Sequence, residues 1–380
     1  MTGGPKTTLW DFDPHTMAKH KILKRYIEAW APILTQGSNG RIVYVDGFAG
    51  PGEDSKKQYP GSPLIAIDSI NNHRLRSNFK SEIVLWFIEE RKDRANYLDS
   101  LIKSKYPKLH KSITYEVENR EFNKALSELL DRMEKDGKRL APTFCFVDPF
   151  GWEDIDIDLL ARLMKQEKAE LFITFMAGFI QRFISENLHI PSLLKLFSSE
   201  QLNEAKTKSP EEKGEFLLKT FLVNLLERIK LATNGKEIYQ VSFETRNNSN
   251  NLEYYLIYLT SHERGMEVMK EAMYSVSHTG EFRFSDFDFD PSIPSLVNYG
   301  VGTNWEENAA HDLYDLVKSI GLLNSAMKIE SVKYLVTLHT KYVFRKEILK
   351  NLEDSGKIVV TGQRIRPHTY PEDKVVIKFI

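Results

Sequence analysis

The sequence contains one cysteine, Cys145, and its first residues show no charged segment followed by an apolar one. A single thiol excludes a disulfide framework and a zinc site built on cysteines. The missing signal pattern favours a reducing, cytoplasmic location. Long apolar runs are also absent. The longest, at about 171–180, includes Thr174 and Gly178 and has the length of a strand, so no membrane span is predicted.

Neither sign of charge is in excess, because 52 Lys and Arg residues stand against 53 Asp and Glu residues and give a formal net charge of −1. This balance excludes a uniformly basic coat for nucleic acid but is compatible with a local basic patch. The chain is long enough and apolar enough to form substantial hydrophobic cores. With 380 residues, 41% of them hydrophobic, it can bury the core of one large domain and one small domain.

Short apolar runs alternate with amphipathic stretches through residues 15–176. A helix with a basic solvent face is predicted first, at about 15–34, and Ser62 is predicted as the N-cap of a later helix that starts at Pro63. This alternation predicts a parallel, doubly wound sheet that binds ligands at the carboxyl ends of its strands. The predicted strands lie at 41–46, 83–88, 113–117, 143–147 and 171–176.

Two further β-rich runs, 237–245 and 252–260, flank a polar turn and predict an antiparallel hairpin. A parallel sheet that ends in such a hairpin is typical of class I methyltransferases, whereas dinucleotide dehydrogenases usually keep a parallel sixth strand. The predicted fold is therefore an α/β, Rossmann-like class I methyltransferase sheet. It is assigned to residues 1–281 and includes a helical insertion at about 178–232.

Residues 282–304 show no periodicity and are predicted to be a linker. Residues 305–380 then predict three helices, the last capped by Thr340 and ending near Glu353, followed by two strands, as in a winged helix-turn-helix domain. Its segment 341–380 has nine Lys and Arg against five Asp and Glu, a local net charge of +4. Winged helices bind nucleic acid or dock proteins. The predicted phosphate contacts are Arg345, Lys346, Lys350, Arg364 and Arg366.

A glycine-rich turn directly follows the first predicted strand. It does not match Gly-x-Gly-x-x-Gly and lacks the Lys-Ser/Thr of a P-loop, which favours an adenosyl amino acid such as S-adenosylmethionine over a phosphate. Glu89 is predicted to hold ribose hydroxyls, although Glu89 and Glu90 also suit a helix start. Glu118 or Asn119 would face the adenine amino group or lie in a solvated loop. The predicted cofactor contacts are Asp46, Gly47, Phe48, Ala49, Gly50, Gly52, Glu89, Glu118 and Asn119.

The sequence Asp148-Pro149-Phe150-Gly151 follows the fourth predicted strand. In methyltransferases that act on nucleobase amino groups, an Asp/Asn-Pro-Pro-aromatic motif at this place accepts the amino N–H bonds and stacks an aromatic ring on the base. Asp148, Pro149 and Phe150 are the predicted catalytic residues. The motif here has one proline followed directly by phenylalanine, which leaves the target atom open, and a plain strand-ending turn is the alternative.

Several cationic side chains near the predicted strand ends are candidates for substrate contact. Lys19 and His20, which open the first helix with His15, have no further Cys, His or Asp spacing for a metal, so no metal site is predicted. A nuclease that uses Asp46 and Asp148 on a metal is a weaker alternative, because the usual additional carboxylate and lysine spacing is missing. The predicted nucleic-acid contacts outside the C-terminal domain are Lys19, His20, Arg182 and Arg246.

Taken together, the stretch His15 to Trp30, Val45 to Gly52, Gly61 to Ala66, Phe87 to Glu89 and Val147 to Gly151 resembles the three-Cys-motif partner (TcmP) family. The resemblance covers about 15–280, and the last domain resembles the one found in part of that family. It implies a class I methyltransferase-like fold and association with a radical-S-adenosylmethionine-like partner protein.

The leading functional hypothesis from the sequence is an S-adenosylmethionine-dependent methyltransferase that acts on nucleic acid, DNA or RNA, at a base nitrogen. It depends on the glycine turn, Glu89 and Asp148 to Phe150 meeting at one sheet edge. The alternative is a non-catalytic protein of the same fold that docks nucleic acid or the radical-S-adenosylmethionine-like partner.

Overall fold

The computed structural model describes residues 5–37, 40–277, 282–285 and 305–380. Its larger part is built on one sheet of eight strands. These are β1 (Arg41–Asp46), β2 (Glu82–Ile88), β3 (Ile113–Glu118), β4 (Thr143–Val147), β5 (Ala169–Phe175), β6 (Tyr239–Arg246), β7 (Leu252–Thr260) and β8 (Arg283–Ser285). Their spatial order is β3-β2-β1-β4-β5-β7-β6-β8.

The first five strands are parallel, and β7 is antiparallel to both of its neighbours, β5 and β6. This order and these directions are those of a class I methyltransferase sheet, so the predicted fold class and the predicted hairpin are confirmed. Strand β8 adds a parallel edge beside β6, with Phe284 opposite Thr245. Strand β8 lies inside the segment that the sequence predicts to be a linker. It was not predicted, because three residues are too few to show a periodic pattern.

Helices cover both faces of the sheet. They are α1 (Pro14–Gly37), α2 (Ser62–Asn71), α3 (Lys92–Lys105), α4 (Phe122–Lys135), α5 (Ile157–Met164), α6 (Ala177–Phe183), α7 (Ile190–Leu193), α8 (Ser199–Thr207), α9 (Pro210–Ala232) and α10 (Glu263–Ser277). One apolar core packs α1, α2, α3 and α10 on the face that carries Tyr44 and Phe144, and a second packs α4, α5 and α9 on the face that carries Cys145 and Val147. The central strands are therefore buried on both sides.

Two glycines allow backbone segments to approach each other closely. Gly61 donates its N–H to the Gly52 carbonyl at 2.7 Å, and a Cβ on Gly61 would lie 3.0 Å from the Gly52 carbonyl carbon. Gly61, not Ser62, is the N-cap of α2, and no side chain caps that helix. The predicted Ser62 cap is wrong, since the turn places the glycine at the cap and Ser62 inside the helix.

The C-terminal part has its own apolar core, which includes Leu313, Ile348 and Phe379. Its elements are α11 (Trp305–Ser319), β9 (Ala326–Lys328), α12 (Ile329–His339), α13 (Lys346–Asp354), β10 (Ile358–Gly362) and β11 (Val375–Phe379), and the sheet order β10-β11-β9 is antiparallel. Strand β9 was not predicted. Thr340 does not cap α13, because its hydroxyl donates to the Val336 carbonyl at 2.7 Å and the N-cap residue is Arg345.

Helix α10 joins this C-terminal part to the large sheet. Lys270 is buried and donates to three backbone carbonyls of the C-terminal part, those of Val336, Thr340 and Tyr342, at 3.2, 2.6 and 3.1 Å. The next residue, Glu271, accepts a bidentate pair of hydrogen bonds from Arg345 at 2.7 and 2.8 Å. Specific hydrogen bonds and an ion pair therefore connect the two parts. No helix in the described ranges is long and apolar enough to cross a membrane.

Candidate active site

A cavity of about 610 Å³ opens at the carboxyl ends of β1, β4 and β5, where a doubly wound sheet binds its ligands. Seven segments line it, and they come from all along the first 254 residues. They are Pro5 with 10–13, His15 to His20 of α1, 48–52, Gly61 with Ser62, 148–150, Thr174 to Arg182, and 247–249 with Glu253 and Tyr254. The predicted site residues Lys19, His20, Phe48, Ala49, Gly50, Gly52, Asp148, Pro149, Phe150 and Arg182 all lie on it.

The glycine turn forms the floor of this cavity. Gly50 and Gly52 have φ values of +62° and +90°, a backbone region that other residues rarely adopt. A Cβ at Gly47 would meet the Phe122 ring at 2.5 Å, so this glycine serves packing and does not line the cavity. The turn therefore presents backbone to the cavity at Gly50 and Gly52.

Asp46 ends β1 below the turn and is fully buried, so it does not line the cavity. Tyr44 donates its hydroxyl to Oδ2 at 3.4 Å, while Oδ1 has no hydrogen-bond partner among the described residues. Burial raises the pKa of Asp46 to about 7, and the Asp148 charge adds to the rise. The Ser62 side chain and the Phe48 backbone act in the opposite direction and lower the pKa of Asp46. Asp46 is placed to organise the turn, and any contact with a cofactor stays a prediction.

The raised pKa of Asp46 predicts a specific pH dependence of folding. Between about pH 4 and pH 7 the folded protein keeps a proton that the unfolded chain releases, so the contribution of Asp46 to stability falls as pH rises. Asp46→Asn should flatten this part of the curve of unfolding free energy against pH, measured by denaturant titration. Glu170, whose pKa burial also raises to about 7, contributes with the same sign, and Glu170→Gln is the matched variant. An unchanged slope in Asp46→Asn contradicts the prediction.

The acidic residues after β2 and β3 lie beside the turn and outside the cavity lining. Glu89 accepts the Gly50 N–H at 2.9 Å with one oxygen and the Arg91 N–H at 2.8 Å with the other, and burial raises its pKa. The Asn119 amide donates to the carbonyl of Glu89 at 3.0 Å, and Glu118 pairs with Arg120 at 3.0 Å. All three predicted cofactor residues therefore hold protein groups, and Glu89 supports the turn directly.

Asp148 lies on the cavity wall and forms a close ion pair with Lys19. The Lys19 Nζ is 2.7 Å from Oδ1 and 2.5 Å from Oδ2, and the side chains are 7% and 21% exposed. The Lys19 ammonium also lies 5.3 Å from the centroid of the Tyr254 ring. The predicted contact of Lys19 with nucleic acid does not fit this placement, because its hydrogen bonds go to a protein carboxylate.

The described arm that precedes α1, residues 5–13, covers one side of the cavity. The Trp10 ring is edge-on to Phe150 with centroids 5.6 Å apart, and the Arg94 guanidinium lies 4.6 Å from the Trp10 ring. The Trp10 carbonyl accepts the Ser55 N–H at 2.9 Å, and Arg94 donates to the Thr7 carbonyl at 3.0 Å. Phe150 keeps 37% of its surface exposed, so part of its ring is available for stacking.

His20 and Arg182, two predicted nucleic-acid contacts on the cavity, differ in charge. Burial lowers the pKa of His20 to about 3, with a further decrease from Lys19 opposed by Asp148, so its imidazole is neutral at pH 7 and offers no charge to a phosphate. Arg182 stacks on Phe179 at 4.3 Å, and its side chain is 53% exposed at the rim. Glu253 lies 3.5 Å from this guanidinium. Arg182 can therefore present a flat cation to a base or a phosphate.

The remaining predicted nucleic-acid residues do not line the cavity, although Arg246 directly precedes the lining residue Asn247. Arg246 pairs with Glu244, Arg345 with Glu271 at 2.7 Å, and Arg364 with Glu353 at 2.6 Å. Neighbouring carboxylates offset the charge of these three arginines, and their side chains are 22%, 29% and 26% exposed, against 53% for Arg182. They are therefore less accessible to a phosphate than Arg182. Lys346, Lys350 and Arg366 are exposed.

Sequence reasoning missed several residues that line the cavity or cover it. Thr174 lines it with a buried hydroxyl that has no partner among the residues described, and Tyr254 faces Lys19. Trp10 stands in a short arm with Leu9 and Phe12, an apolar cluster that could have indicated packing against the fold, whereas Arg94 resembles any helix arginine. No group of three or more His, Cys, Asp and Glu side chains in the described ranges is arranged to hold a metal ion.

The known proteins that the chain resembles are distant in sequence and structure. No family model and no curated protein sequence matches the chain. A Legionella pneumophila protein of the DUF519 family is 11% identical, with a TM-score of 0.38, over 69% of this chain and 92% of its own. Trm1 from Pyrococcus horikoshii, solved with S-adenosyl-L-methionine, is 13% identical, with a TM-score of 0.36, over 100% and 93%.

A third solved structure, PKMT2 from Rickettsia typhi in complex with AdoHcy, is 8% identical, with a TM-score of 0.27, over 92% of this chain and 74% of its own. At such scores these likenesses carry no argument about function, and the fold assignment rests on the strand order. The resemblance to the three-Cys-motif partner family and the winged-helix assignment are not confirmed by any of the comparisons.

Proposed function

We propose that the protein is an S-adenosylmethionine-dependent methyltransferase that acts on nucleic acid at a base nitrogen. The observation that carries the proposal is the cavity at the carboxyl ends of the strands, in which a glycine turn faces Asp148, Pro149 and Phe150. In a class I methyltransferase sheet this edge is the place for both methyl donor and acceptor. A cavity of about 610 Å³ lies within the usual range for ligand sites.

The residues present fit the proposed cofactor. Gly50 and Gly52 offer backbone without a Cβ, the first residue of α2 lies on the cavity, and the buried Thr174 hydroxyl has no partner among the described residues. Phe48, Ala49, Gly50 and Gly52 would hold the cofactor, which supplies an electrophilic methyl group on a sulfonium. Phe150 would stack on a base, and Asp148 would accept an N–H.

Charge on the cavity wall supports a neutral base as the part of the substrate that enters. Lys19 and Asp148 offset each other, His20 is neutral, and the exposed cation of Arg182 lies at the rim. Phosphates would accordingly stay outside. The C-terminal part, which we interpret as a winged helix, offers Lys346, Lys350 and Arg366 for backbone phosphates.

The test combines binding and transfer. Titration calorimetry should show S-adenosylhomocysteine binding to the wild type, and Gly50→Val should abolish it because a branched side chain both strains φ and meets Trp10. Incubation with labelled S-adenosylmethionine and single-stranded DNA, duplex DNA or total RNA should give a methylated nucleoside, identified by mass spectrometry. Gly137→Val is the matched control, because its φ is also positive but nothing lies within 4 Å of its Cβ. If the wild type neither binds S-adenosylhomocysteine nor transfers a methyl group to any of these nucleic acids, the proposal is wrong.

One observation favours a second candidate, a non-catalytic protein of this fold that docks nucleic acid or a radical-S-adenosylmethionine-like partner. Both oxygens of Glu89 already accept backbone N–H groups, and the residue does not line the cavity. Under this alternative, shift assays show salt-dependent binding with no methyl transfer. Replacing Lys346, Lys350 and Arg366 by alanine should then lower the slope of log affinity against log salt by about one for each lost phosphate contact.

A further inference from the structure

The pairing of Lys19 with Asp148 brings together α1 and the loop after β4, 129 residues apart in sequence. Both carboxylate oxygens lie within hydrogen-bond distance of one ammonium, at 2.7 and 2.5 Å. Lys19 is 7% exposed and Asp148 is 21% exposed, so the lysine is the inner member of the pair and the carboxylate is the more accessible one. The exposed part of Asp148 faces the cavity.

The ion pair is partly buried, with the lysine inside, and such a pair has a defined chemical consequence. Removing one member leaves the other charge without compensation in a medium of low polarity, so the surviving group changes its protonation or its position. An ionised carboxylate has about four lone-pair sites, and Lys19 occupies one on each oxygen. Asp148 therefore retains the capacity to accept further N–H bonds from the cavity while Lys19 holds it.

We infer that Lys19 is a positioning residue, which holds the Asp148 carboxylate in place and aimed at the cavity so that Asp148 accepts the N–H of a neutral amino group on the substrate. The inference rests on the proposed function. The acceptor nitrogen gives its lone pair to the methyl carbon, the carbon–sulfur electron pair stays on sulfur, and the proton on nitrogen passes to Asp148. A carboxylate facing the acceptor favours neutral exocyclic amines and disfavours phosphate or carboxylate acceptors.

The competing role for Lys19 is direct contact with an anionic group of the cofactor or the substrate. The two roles differ in what the substitution changes. A positioning residue affects turnover through Asp148 and leaves the affinity for S-adenosylhomocysteine unchanged, whereas a contact residue changes that affinity even when Asp148 is already altered.

The experiment uses Lys19→Met, Lys19→Arg, Asp148→Asn and the double variant Lys19→Met/Asp148→Asn in the full chain. Lys24→Met is the matched control, because Lys24 lies on the same helix with its side chain 57% exposed. Lys19→Met should lower kcat about 100-fold, the lower range for loss of a general base, with an unchanged Kd for S-adenosylhomocysteine. Lys19→Arg should restore most of the rate. The double variant should be no slower than Asp148→Asn alone.

Thermal unfolding without cofactor gives a readout independent of turnover. The two single substitutions should each lower Tm, and the double substitution should lower it by less than their sum because it removes both charges together. Additive Tm changes, or a Lys19→Met variant that keeps wild-type kcat, overturn the inference alone. A changed Kd for S-adenosylhomocysteine in Lys19→Met assigns the residue to ligand contact and also overturns it. A wild type that methylates no nucleic acid overturns the proposed function itself, and the inference with it.

Discussion

Replacement of Lys270 by methionine is expected to loosen the C-terminal part from the large sheet and to lower the free energy of unfolding of the protein by about 1–3 kcal/mol. The Lys270 ammonium is buried and donates to the carbonyls of Val336, Thr340 and Tyr342. Methionine has a similar length but no donor, so these carbonyls lose a partner where water has little access. The Val336 carbonyl keeps the Thr340 hydroxyl as a partner, and the more accessible Thr340 carbonyl can recover water. The Tyr342 carbonyl is then the buried group left unsatisfied, at a cost of about 1–3 kcal/mol.

Lys333→Met is the matched control for this experiment. Lys333 also joins the two parts, through Glu267 at 2.6 Å, but its side chain is 40% exposed. An exposed ion pair contributes about 0–1 kcal/mol. Differential scanning calorimetry should show a large decrease in the unfolding temperature of the C-terminal transition for Lys270→Met and a small one for Lys333→Met. Equal effects of the two variants would contradict the anchoring role of Lys270.

Gly178→Ala is the second substitution with a large expected effect. A Cβ at this position would lie 2.0 Å from the Leu252 carbonyl oxygen and 2.8 Å from that of Glu253, so the added methyl group meets backbone that cannot rotate away. Helix α6 must move away from β7, at a cost of about 1–3 kcal/mol. Since Phe179 and Arg182 of α6 line the cavity, ligand affinity should fall together with stability.

The comparison for Gly178→Ala is Gly40→Ala, where a Cβ meets nothing within 4 Å and no positive φ opposes the change. That variant should be neutral or slightly more stable, because alanine restricts the unfolded chain. Urea titration of both variants measures the difference in unfolding free energy. A Gly178→Ala protein as stable as Gly40→Ala would show that α6 can shift without loss.

The sequence predicted the parts of the fold that depend on local pattern. Strand β4, with five buried residues, and the hairpin of β6 and β7 follow from apolar runs and turn residues, which short segments of chain already contain. Strand β9 was missed because three residues carry no period. Ser62 was a reasonable N-cap by residue type, but the close approach of Gly61 to Gly52 decided the helix start, and that contact is tertiary.

The candidate site was predictable only in part for the same reason. The glycine turn and Asp148 follow directly after predicted strands, so topology places them at one edge. The ion pair of Lys19 and Asp148 joins residues far apart in sequence, and no local pattern announces it. Likewise, the basic composition of residues 341–380 predicted phosphate contacts at Arg345 and Arg364. Their ion pairs with Glu271 and Glu353, which offset these charges, form only in the folded chain.

The late position of β7 in the chain has a consequence for synthesis on the ribosome. Strand β5 has seven buried residues, and its outer edge pairs with β7, which is translated only after α6 to α9. Until residue 260 has emerged, the nascent chain carries an apolar strand with unpaired N–H and C=O groups, the kind of edge that recruits other chains. Fragments that stop after α9 should accordingly aggregate, whereas fragments that extend past β7 should not.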